Sequence, residues 1–353
     1  MLGKSRAGLR VMAAVAASSL LFVGCASGGG ATSAAPATSA APETSAAAPA
    51  NLTMTFLPKN LGNAYFDTSF KGVQAAVAAF GGTVTQVGPA KGDDPAGQVS
   101  YINTAAQQQV GALIVSANDK AAICDALNEA KTAGVKVVTF DSDTNPECRD
   151  LFINQATADG IAKVQIDMIA EQIGDEGEIA ILSASANATN QNAWIEMMKK
   201  ELAASHPKIK LVDTVYGNDD DQTSFDKTNG LISAHPNLKG IISPTTVGIS
   251  AAARYLSTSK AKGKIALTGL GTPNQMRAFV KDGTVTEFAL WNPEELGALA
   301  AYAAAALVKG EIKGAEGDKF KAGDKEYTVG ADATVLLGEP YRFNKENIDN
   351  FDF

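Results

Sequence analysis

Residues 112–140 read ALIVSANDKAAICDALNEAKTAGVKVVTF. This stretch begins and ends with short apolar runs, at 112–116 and 135–140, that are typical of strands buried inside a parallel sheet. Between them, 121–133 carries apolar side chains at helical spacing and is followed by Gly134, which suits the end of a helix. The stretch therefore predicts a strand–helix–strand unit, the building block of a parallel sheet with right-handed crossovers.

The same alternation extends along the chain in both directions. It begins with a strand at 52–57, reaches a strand at 151–154, restarts with a helix at 158–173 and ends with a strand at 287–291. Strands separated by helices of this kind predict an α/β fold with doubly wound, Rossmann-like parallel sheets. Because 353 residues exceed what one hydrophobic core usually serves, we expect two lobes.

The first 24 residues are typical of a signal peptide. Three basic side chains precede an apolar run at 11–23 that is too short to span a bilayer comfortably. The run ends in LFVGC, which resembles a bacterial lipobox and predicts lipidation of Cys25; the alternative is an ordinary signal peptide with an incidental cysteine. Removing residues 1–24, with three positive and no negative charges, changes the formal net charge from −8 to −11.

Residues 25–50 predict a disordered tether. They consist almost entirely of Ala, Ser, Thr, Gly and Pro, with Glu43 as the single charge, so they cannot bury enough apolar surface to offset the entropy of ordering. Such a segment has a mean reach of roughly 25–30 Å. We therefore expect an extracytoplasmic protein, lipid-anchored to the cell membrane on its outer face or in the periplasm.

The composition favours a binding protein over an enzyme. A net charge of −8 argues against nucleic acid as a partner, because phosphate binding needs clustered Lys and Arg. Only two histidines and three cysteines are present, which leaves little material for metal or nucleophile–base chemistry. Because His206 and His235 each precede a proline at the predicted end of a helix, we expect both to be structural. We expect no catalytic residue, no cofactor and no metal.

Cys124 and Cys148 are predicted to pair. Cys124 falls in the predicted helix at 121–133, and Cys148 falls in the loop after the next strand, close enough to meet. An exported compartment permits their oxidation to a disulfide. Two buried thiols are the alternative.

Polar and aromatic side chains follow the predicted strands. In open α/β sheets, ligands bind beyond the carboxyl ends of the strands, so these side chains are candidates for contact with a ligand. Amides, carboxylates and hydroxyls can hold the hydroxyls of a sugar while aromatic faces cover its C–H surface. Loop Asn, Asp and Thr also cap helices, which is the alternative role of Asn190 in particular. The selected candidates are Lys59, Asn60, Phe66, Asp141, Asn190, Gln191, Pro244, Thr246, Trp291 and Asn292.

Several longer motifs resemble known families. Five motifs resemble rhamnose-binding proteins, namely KNLGN (59–63), SAND (116–119), ATNQNAW (188–194), SPTTVG (243–248) and FALWNP (288–293). Three other features resemble the autoinducer-2-binding protein, namely DSDTNPECR (141–149), its companion Cys124 and FNKENI (343–348). From about residue 52 to residue 353 the chain is thus similar to the pentose- and hexose-type sugar-binding proteins of ABC transporters.

The resemblance implies a type I periplasmic binding protein fold with two lobes and a hinge that the chain crosses several times. The first lobe is expected at 51–155 and 292–330, and the second at 156–291 and 331–353. It also implies a monomer that closes on a sugar and delivers it to a membrane permease with an ATPase subunit.

The resemblance further implies a ligand set. The autoinducer-2 site has a Lys, an Asp, an Asp-Gln pair and a Pro-x-Ala segment, of which Lys59, Asp141, Gln191 and Pro244 are matched here. Asn190 replaces the Asp of the pair and Thr246 replaces the Ala. An amide in place of a carboxylate changes which hydroxyls are accepted, so rhamnose is expected ahead of autoinducer-2, with another hexose as a further alternative.

Other classes of protein use a similar fold. A chemosensory or quorum receptor would use the same clamp with another partner. An enzyme acting on a sugar would need a positioned acid–base pair, and Asp141 and Asp143 are the carboxylates available for one. A DNA-binding repressor is excluded, because no basic helix-turn-helix segment precedes residue 52.

Overall fold

The computed structural model describes residues 50–353. The predictions for the signal peptide at 1–24, for Cys25 and for all but the last residue of the tether at 25–50 lie outside the described residues. Within 50–353 no helix is long and apolar enough to cross a membrane.

The described chain alternates strands and helices as far as α9 and ends in short strands. In chain order the elements are β1 (Thr53–Leu57), α1 (Ala64–Ala79), β2 (Thr83–Gln86), α2 (Pro95–Gln107), β3 (Ala112–Val115), α3 (Cys124–Thr132), β4 (Lys136–Phe140), β5 (Leu151–Asn154), α4 (Ala158–Ile173), β6 (Gly177–Ser183), α5 (Thr189–Ser205), β7 (Ile209–Tyr216), α6 (Asp221–Ala234), β8 (Leu238–Ser243), α7 (Thr246–Thr258), β9 (Ala266–Gly269), α8 (Pro273–Lys281), β10 (Glu287–Leu290), α9 (Pro293–Lys309), β11 (Lys319–Ala322), β12 (Lys325–Thr328), β13 (Thr334–Leu336) and β14 (Tyr341–Asn344).

The first lobe is built on a six-stranded parallel sheet in the order β13-β5-β4-β3-β1-β2. Successive side chains of a strand point to opposite faces, so Phe56 joins the core that contains α1 and α9, whereas Leu57 joins the core that contains α2 and α3. Strand order reverses between β1 and β3, which is where a doubly wound sheet opens a crevice for ligands.

The second lobe repeats this plan on a four-stranded parallel sheet in the order β7-β6-β8-β9. Its strand order reverses between β6 and β8. On its surfaces α4 packs against α5 and α6 against α7. A single bridge between Leu270 and Ala289 adds β10 beside β9, and β14 pairs antiparallel with β10. The predicted doubly wound parallel α/β architecture is confirmed.

Three chain segments connect the lobes, at 155–157, 291–292 and 337–340. The first and third run side by side, because Gly338 N donates to Gln155 O at 3.3 Å, next to the bond from Leu337 N to Asn154 O at 2.8 Å. After the second crossing, α9 packs against α1 of the first lobe. We call these three segments the hinge.

The strand pairing differs from the expected lobe division at one place. Residues 331–336 were expected in the second lobe, but β13 pairs with β5 of the first sheet, so the last crossing falls after Leu336. The pairing of a three-residue strand with a partner so distant in sequence has no local signal. The other expected lobe boundaries remain a proposal.

Two glycines allow α1 and α9 to pack closely. A Cβ at Gly72 would overlap the backbone of Glu294, and a Cβ at Gly297 would overlap the backbone of Ser69. Each helix therefore carries a glycine where the other helix's backbone approaches, so any larger residue at either position would force the two helices apart.

Local details of several helices differ from the predicted bounds. Helix α1 begins at Ala64 and is capped by Asn63, whose side chain accepts from Tyr65 N. Helix α3 begins only at Cys124. The Cα atoms of Cys124 and Cys148 lie 5.3 Å apart, a separation that suits a disulfide.

Candidate ligand-binding site

A small cavity of about 30 Å³ lies between the lobes at the carboxyl ends of their strands. This volume is room for about two water molecules, so the surrounding side chains nearly fill the cavity. The first lobe contributes the segments after β1 and β4, and the second lobe contributes the segments after β6, β7 and β8. The cavity is lined by Lys59, Asn63, Tyr65, Phe66, Asp141, Gln191, Trp194, Asp219, Pro244, Thr245, Thr246, Leu270, Leu290 and Trp291.

Charged and amide groups from both lobes meet beside the cavity. The Lys59 ammonium from the first lobe donates to Asn190 Oδ1 of the second lobe at 2.8 Å. The Asn190 carboxamide in turn donates from Nδ2 to Asp141 Oδ1 at 3.3 Å, and Lys59 Nζ lies 4.0 Å from Asp141 Oδ2. Asn190 thus connects the lysine and the carboxylate of the opposite lobe through its two ends.

Asp141 is held on a strained turn directly after β4. Its φ is 59°, and Ser142 N donates to Phe140 O at 2.6 Å, closing a three-residue turn that proteins seldom use. Its carboxylate accepts from Ser116 Oγ, which follows the neighbouring strand β3, at 2.7 Å. The turn therefore aims a buried carboxylate at the cavity.

Burial shifts the pKa of each charged group at this site. It raises the pKa of Asp141 above its ordinary range, although Lys59, Ser116 and Tyr65 oppose this rise. Burial likewise raises the pKa of Asp219, and it lowers the pKa of Lys59, whose charge the two carboxylates favour. In each case burial is the largest cause, because a charged group loses hydration on entering the interior.

Aromatic rings form the apolar part of the cavity. Trp291 Nε1 donates to Tyr65 Oη at 2.9 Å, and the two rings meet edge to face with centroids 6.2 Å apart. Trp194 from α5 approaches Trp291 at 6.0 Å, and Phe66 lies beside Tyr65 at 5.2 Å. The rings come from both lobes and from the hinge, so they form a continuous apolar surface facing the polar groups.

Two acceptors on the second lobe face the cavity. Gln191 is 6% exposed, and its Oε1 is buried without a hydrogen-bond partner in the described part of the chain. Asp219 follows β7 and accepts a short hydrogen bond from Thr245 Oγ1. A buried acceptor without a partner suits the hydroxyl of a ligand, which can donate to it.

The structure brings most of the predicted ligand-binding residues together. Seven line the cavity, namely Lys59, Phe66, Asp141, Gln191, Pro244, Thr246 and Trp291. Asn190 lies behind them and bonds to two of them. Its side chain also accepts from Gln191 N, but Ala188 stands at the N-cap position of α5, so capping does not require Asn190.

Two predicted residues do not line this cavity. The Asn292 carboxamide accepts from Glu294 N and Glu295 N and so caps α9, and its predicted contact with a ligand stays a prediction. Asn60 is buried beside the segment at 91–93, where it lines a neighbouring groove. An asparagine after a strand can cap the next helix or contact a ligand, and its position in the sequence does not separate the two roles.

Seven further residues line the cavity but were not among the selected candidates, namely Asn63, Tyr65, Trp194, Asp219, Thr245, Leu270 and Leu290. Tyr65 and Thr245 stand beside selected residues in the segments after strands. Asp219 also follows a strand, β7, so the same rule would have included it. Trp194 lies one helical turn beyond Gln191 and therefore faces the same side of α5, so its spacing from Gln191 in the sequence could have predicted it.

Potential metal ligands lie away from the cavity. Among residues 50–353, the two clusters that could hold an ion are Cys124 with Glu147 and Cys148, and Asp167 with Glu201 and His206. None of these residues lines the cavity. His206 and His235 stand at the C-cap positions of α5 and α6, which confirms their predicted place at the ends of helices.

Comparisons with known proteins place this chain among binding proteins. A family model described as "Periplasmic binding protein domain" matches residues 54–312. A sugar ABC transporter protein from Actinomyces odontolyticus ATCC 17982 is 53% identical with a TM-score of 0.69, over 85% of this chain and 97% of the other.

Two similar structures contain ligands. An ABC transporter solute binding protein from Clostridium phytofermentas with bound L-rhamnose is 38% identical with a TM-score of 0.82, over 85% and 98% of the two chains. LsrB from Clostridium saccharobutylicum in complex with AI-2 is 29% identical with a TM-score of 0.80, over 85% and 100%. Among curated proteins, the D-apiose import binding protein of Actinobacillus succinogenes is 25% identical over 153 residues, which span about half (48%) of its length.

Proposed function

This chain belongs to the periplasmic binding protein domain family, and from that premise we propose that it binds L-rhamnose between its two lobes. Like its relatives, it is an extracytoplasmic sugar-binding protein of the ABC importer family and not an enzyme. Its partners are therefore a sugar and the permease of an importer.

The bridge formed by Lys59, Asn190 and Asp141 is the observation that carries the choice of rhamnose. It places an ammonium and a carboxylate beside one small cavity and holds them together through the carboxamide behind them, which suits adjacent hydroxyls that donate and accept together. The aromatic side of the cavity suits the C–H face and the methyl group of a 6-deoxyhexose. The relative solved with L-rhamnose is 38% identical, which also supports this choice.

Binding is proposed to work by closure of the lobes. A sugar that contacts Lys59 and Asp141 on one lobe and Gln191 and Thr246 on the other binds better when the lobes are close, so it shifts the population toward the closed form. Trp291 stands at a crossing of the hinge and lines the cavity, so it is placed to respond to the same movement. The closed form is then the state that the permease receives.

Autoinducer-2 is the second candidate ligand. The 29% identity to LsrB in complex with AI-2 favours it, as do Lys59, Asp141, Gln191 and Pro244, which match the pattern of that site. Asn190 in place of an acidic residue is the feature that argues for rhamnose. Another hexose remains a further candidate.

Several properties outside the cavity belong to the same proposal. We propose lipidation of Cys25 after removal of residues 1–24, with the segment to residue 50 as the tether between membrane and binding protein. We also propose that the protein is a monomer and that Cys124 and Cys148 form a disulfide in the oxidising extracytoplasmic compartment.

Calorimetric titration tests the ligand. The chain from Ala50 onward, which lies within one compact unit, is titrated in parallel with L-rhamnose, autoinducer-2, D-ribose and D-arabinose. The proposal expects the lowest Kd for L-rhamnose and a smaller radius of gyration by X-ray scattering at saturation. Binding of autoinducer-2 without binding of rhamnose would replace the first candidate by the second. An unchanged scattering profile with bound ligand would contradict the closure mechanism.

A further inference from the structure

We propose that Gln155 is a positioning residue that couples the strained turn of Asp141 to the hinge, an inference that rests on the proposed sugar-binding function. Gln155 does not line the cavity. It follows β5 at the start of the first crossing, next to the strand that ends at the Asp141 turn. It is 1% exposed and therefore fixed by its surroundings.

Gln155 reaches the ligand-binding turn with its side chain. Its Nε2 donates to the main-chain oxygen of Asp141 at 3.1 Å. The turn at Asp141, with a φ of 59°, is costly for a residue other than glycine and persists only where the surroundings fix it. Ser116 holds the carboxylate of this turn, and Gln155 holds its backbone.

Gln155 reaches the hinge with its backbone. Its carbonyl oxygen accepts from Gly338 N at 3.3 Å, and the oxygen of the preceding Asn154 accepts from Leu337 N at 2.8 Å. Both donors belong to the third crossing. One residue therefore contacts the turn that carries a ligand-binding carboxylate and two of the three crossings.

The Asp141 main-chain oxygen receives a second donor from the opposite lobe. Asn190 Nδ2 lies 3.4 Å from that oxygen, and Gln155 Nε2 lies 3.1 Å from it. When the lobes part, Asn190 moves away with the second lobe, and Gln155 remains as the donor from the first lobe's side. Gln155 therefore keeps Asp141 in its binding orientation in the open form, where the ligand first arrives.

A matched pair of variants separates this role from ordinary stabilisation. Gln165 in α4 is also fully buried, donates from Nε2 to one main-chain oxygen, that of Ile161 at 3.0 Å, and has an Oε1 without a partner. Gln155→Met and Gln165→Met remove equivalent groups and keep a similar side-chain volume. We expect comparable losses of stability to urea, because each leaves a buried carbonyl short of a donor.

The two variants are expected to differ in ligand binding. Gln155→Met should raise the Kd for L-rhamnose about tenfold, whereas Gln165→Met should leave it within about twofold. Equal Kd values for the two variants and the wild type would overturn the proposal. If the wild type binds autoinducer-2 or another sugar from the calorimetric panel instead, the same comparison is made with that sugar.

Hydrogen exchange on the ligand-free protein tests the coupling without any ligand. Gln155→Met should accelerate exchange of the amides of Ser142 and Gly338, and Gln165→Met should not. Unchanged exchange at both amides would overturn the proposal. A wild type that binds none of the sugars would refute the proposed function alone, because this exchange measurement still decides the role of Gln155.

Discussion

Asn190→Asp is the substitution that tests the basis of ligand choice most directly. In the wild type the Asn190 carboxamide donates to Asp141 and accepts from Lys59. The substitution keeps the acceptor and replaces the donor by an oxygen. We expect selectivity to move away from L-rhamnose and toward autoinducer-2, whose binding-site pattern has a carboxylate at this position.

The distances give the size of the effect. At an effective dielectric constant of about 20, the new carboxylate would repel Asp141 by about 5 kcal/mol at 3.3 Å and attract Lys59 by about 6 kcal/mol at 2.8 Å. These two energies nearly cancel, so we expect the variant to fold. What does not cancel is the lost N–H donor, and a buried group left without its partner costs about 1–3 kcal/mol. The ratio of Kd for rhamnose to Kd for autoinducer-2 should therefore rise by about 5- to 150-fold.

Calorimetry with both ligands measures this ratio. Asn192→Asp is the control, because it makes the same chemical change in the same helix at a side chain that donates to Ala186 O and does not line the cavity. It should leave the ratio unchanged. An Asn190→Asp variant that folds and keeps the wild-type ratio would refute the reasoning and assign Asn190 a structural role.

Three further predictions concern charge, the aromatic surface and the cysteines. Burial raises the pKa of Asp219 above 3.8, so its ionisation destabilises the folded wild type as the pH rises through that higher value. The free energy of unfolding of Asp219→Asn, measured relative to wild type by urea titration, should therefore increase between about pH 3.5 and about pH 7. A difference that stays constant with pH would contradict this. Tyr65→Phe leaves the Trp291 indole N–H without its acceptor and should therefore raise the ligand Kd about tenfold. Tryptophan fluorescence can measure this Kd, because both tryptophans of the chain line the cavity. Reducing a Cys124–Cys148 disulfide, which closes a loop of 24 residues, should lower the free energy of unfolding by about 3 kcal/mol. Urea titration with and without reductant checks this. Equal unfolding midpoints, together with two free thiols by mass spectrometry, would refute the disulfide.

The sheets could be predicted from the sequence because their signals are local. Most strands up to β10 are short runs of apolar and β-branched residues bounded by a helix or a turn, and the run at 112–116 is almost fully reproduced as β3. The last four strands, β11 to β14, have three or four residues each, and all but β13 contain charged side chains. β11 and β12 pair with each other across a two-residue turn, whereas β13 and β14 pair with the distant strands β5 and β10, and the short segments themselves carry no signal for those distant partners.

The site was predictable to the extent that it follows strand ends. Lys59 and Asp141 come directly after β1 and β4, so the sheet alone delivers them to one crevice. Asn292 has the same sequence context but caps a helix. The strained φ of Asp141 and its support by Gln155 depend on packing, and no local pattern in the sequence encodes them.

The hinge also determines when each lobe can be completed during synthesis. Helix α9 and strand β13 belong to the first lobe, yet they follow the whole of the second lobe's parallel sheet in the chain. A ribosome therefore makes all four of those strands before the first lobe has its last helix and its edge strand. Contacts between segments so far apart form slowly. For an extracytoplasmic protein, this order of assembly delays completion of the first lobe until nearly the full length of the chain is available, which favours passage through the membrane before that lobe folds.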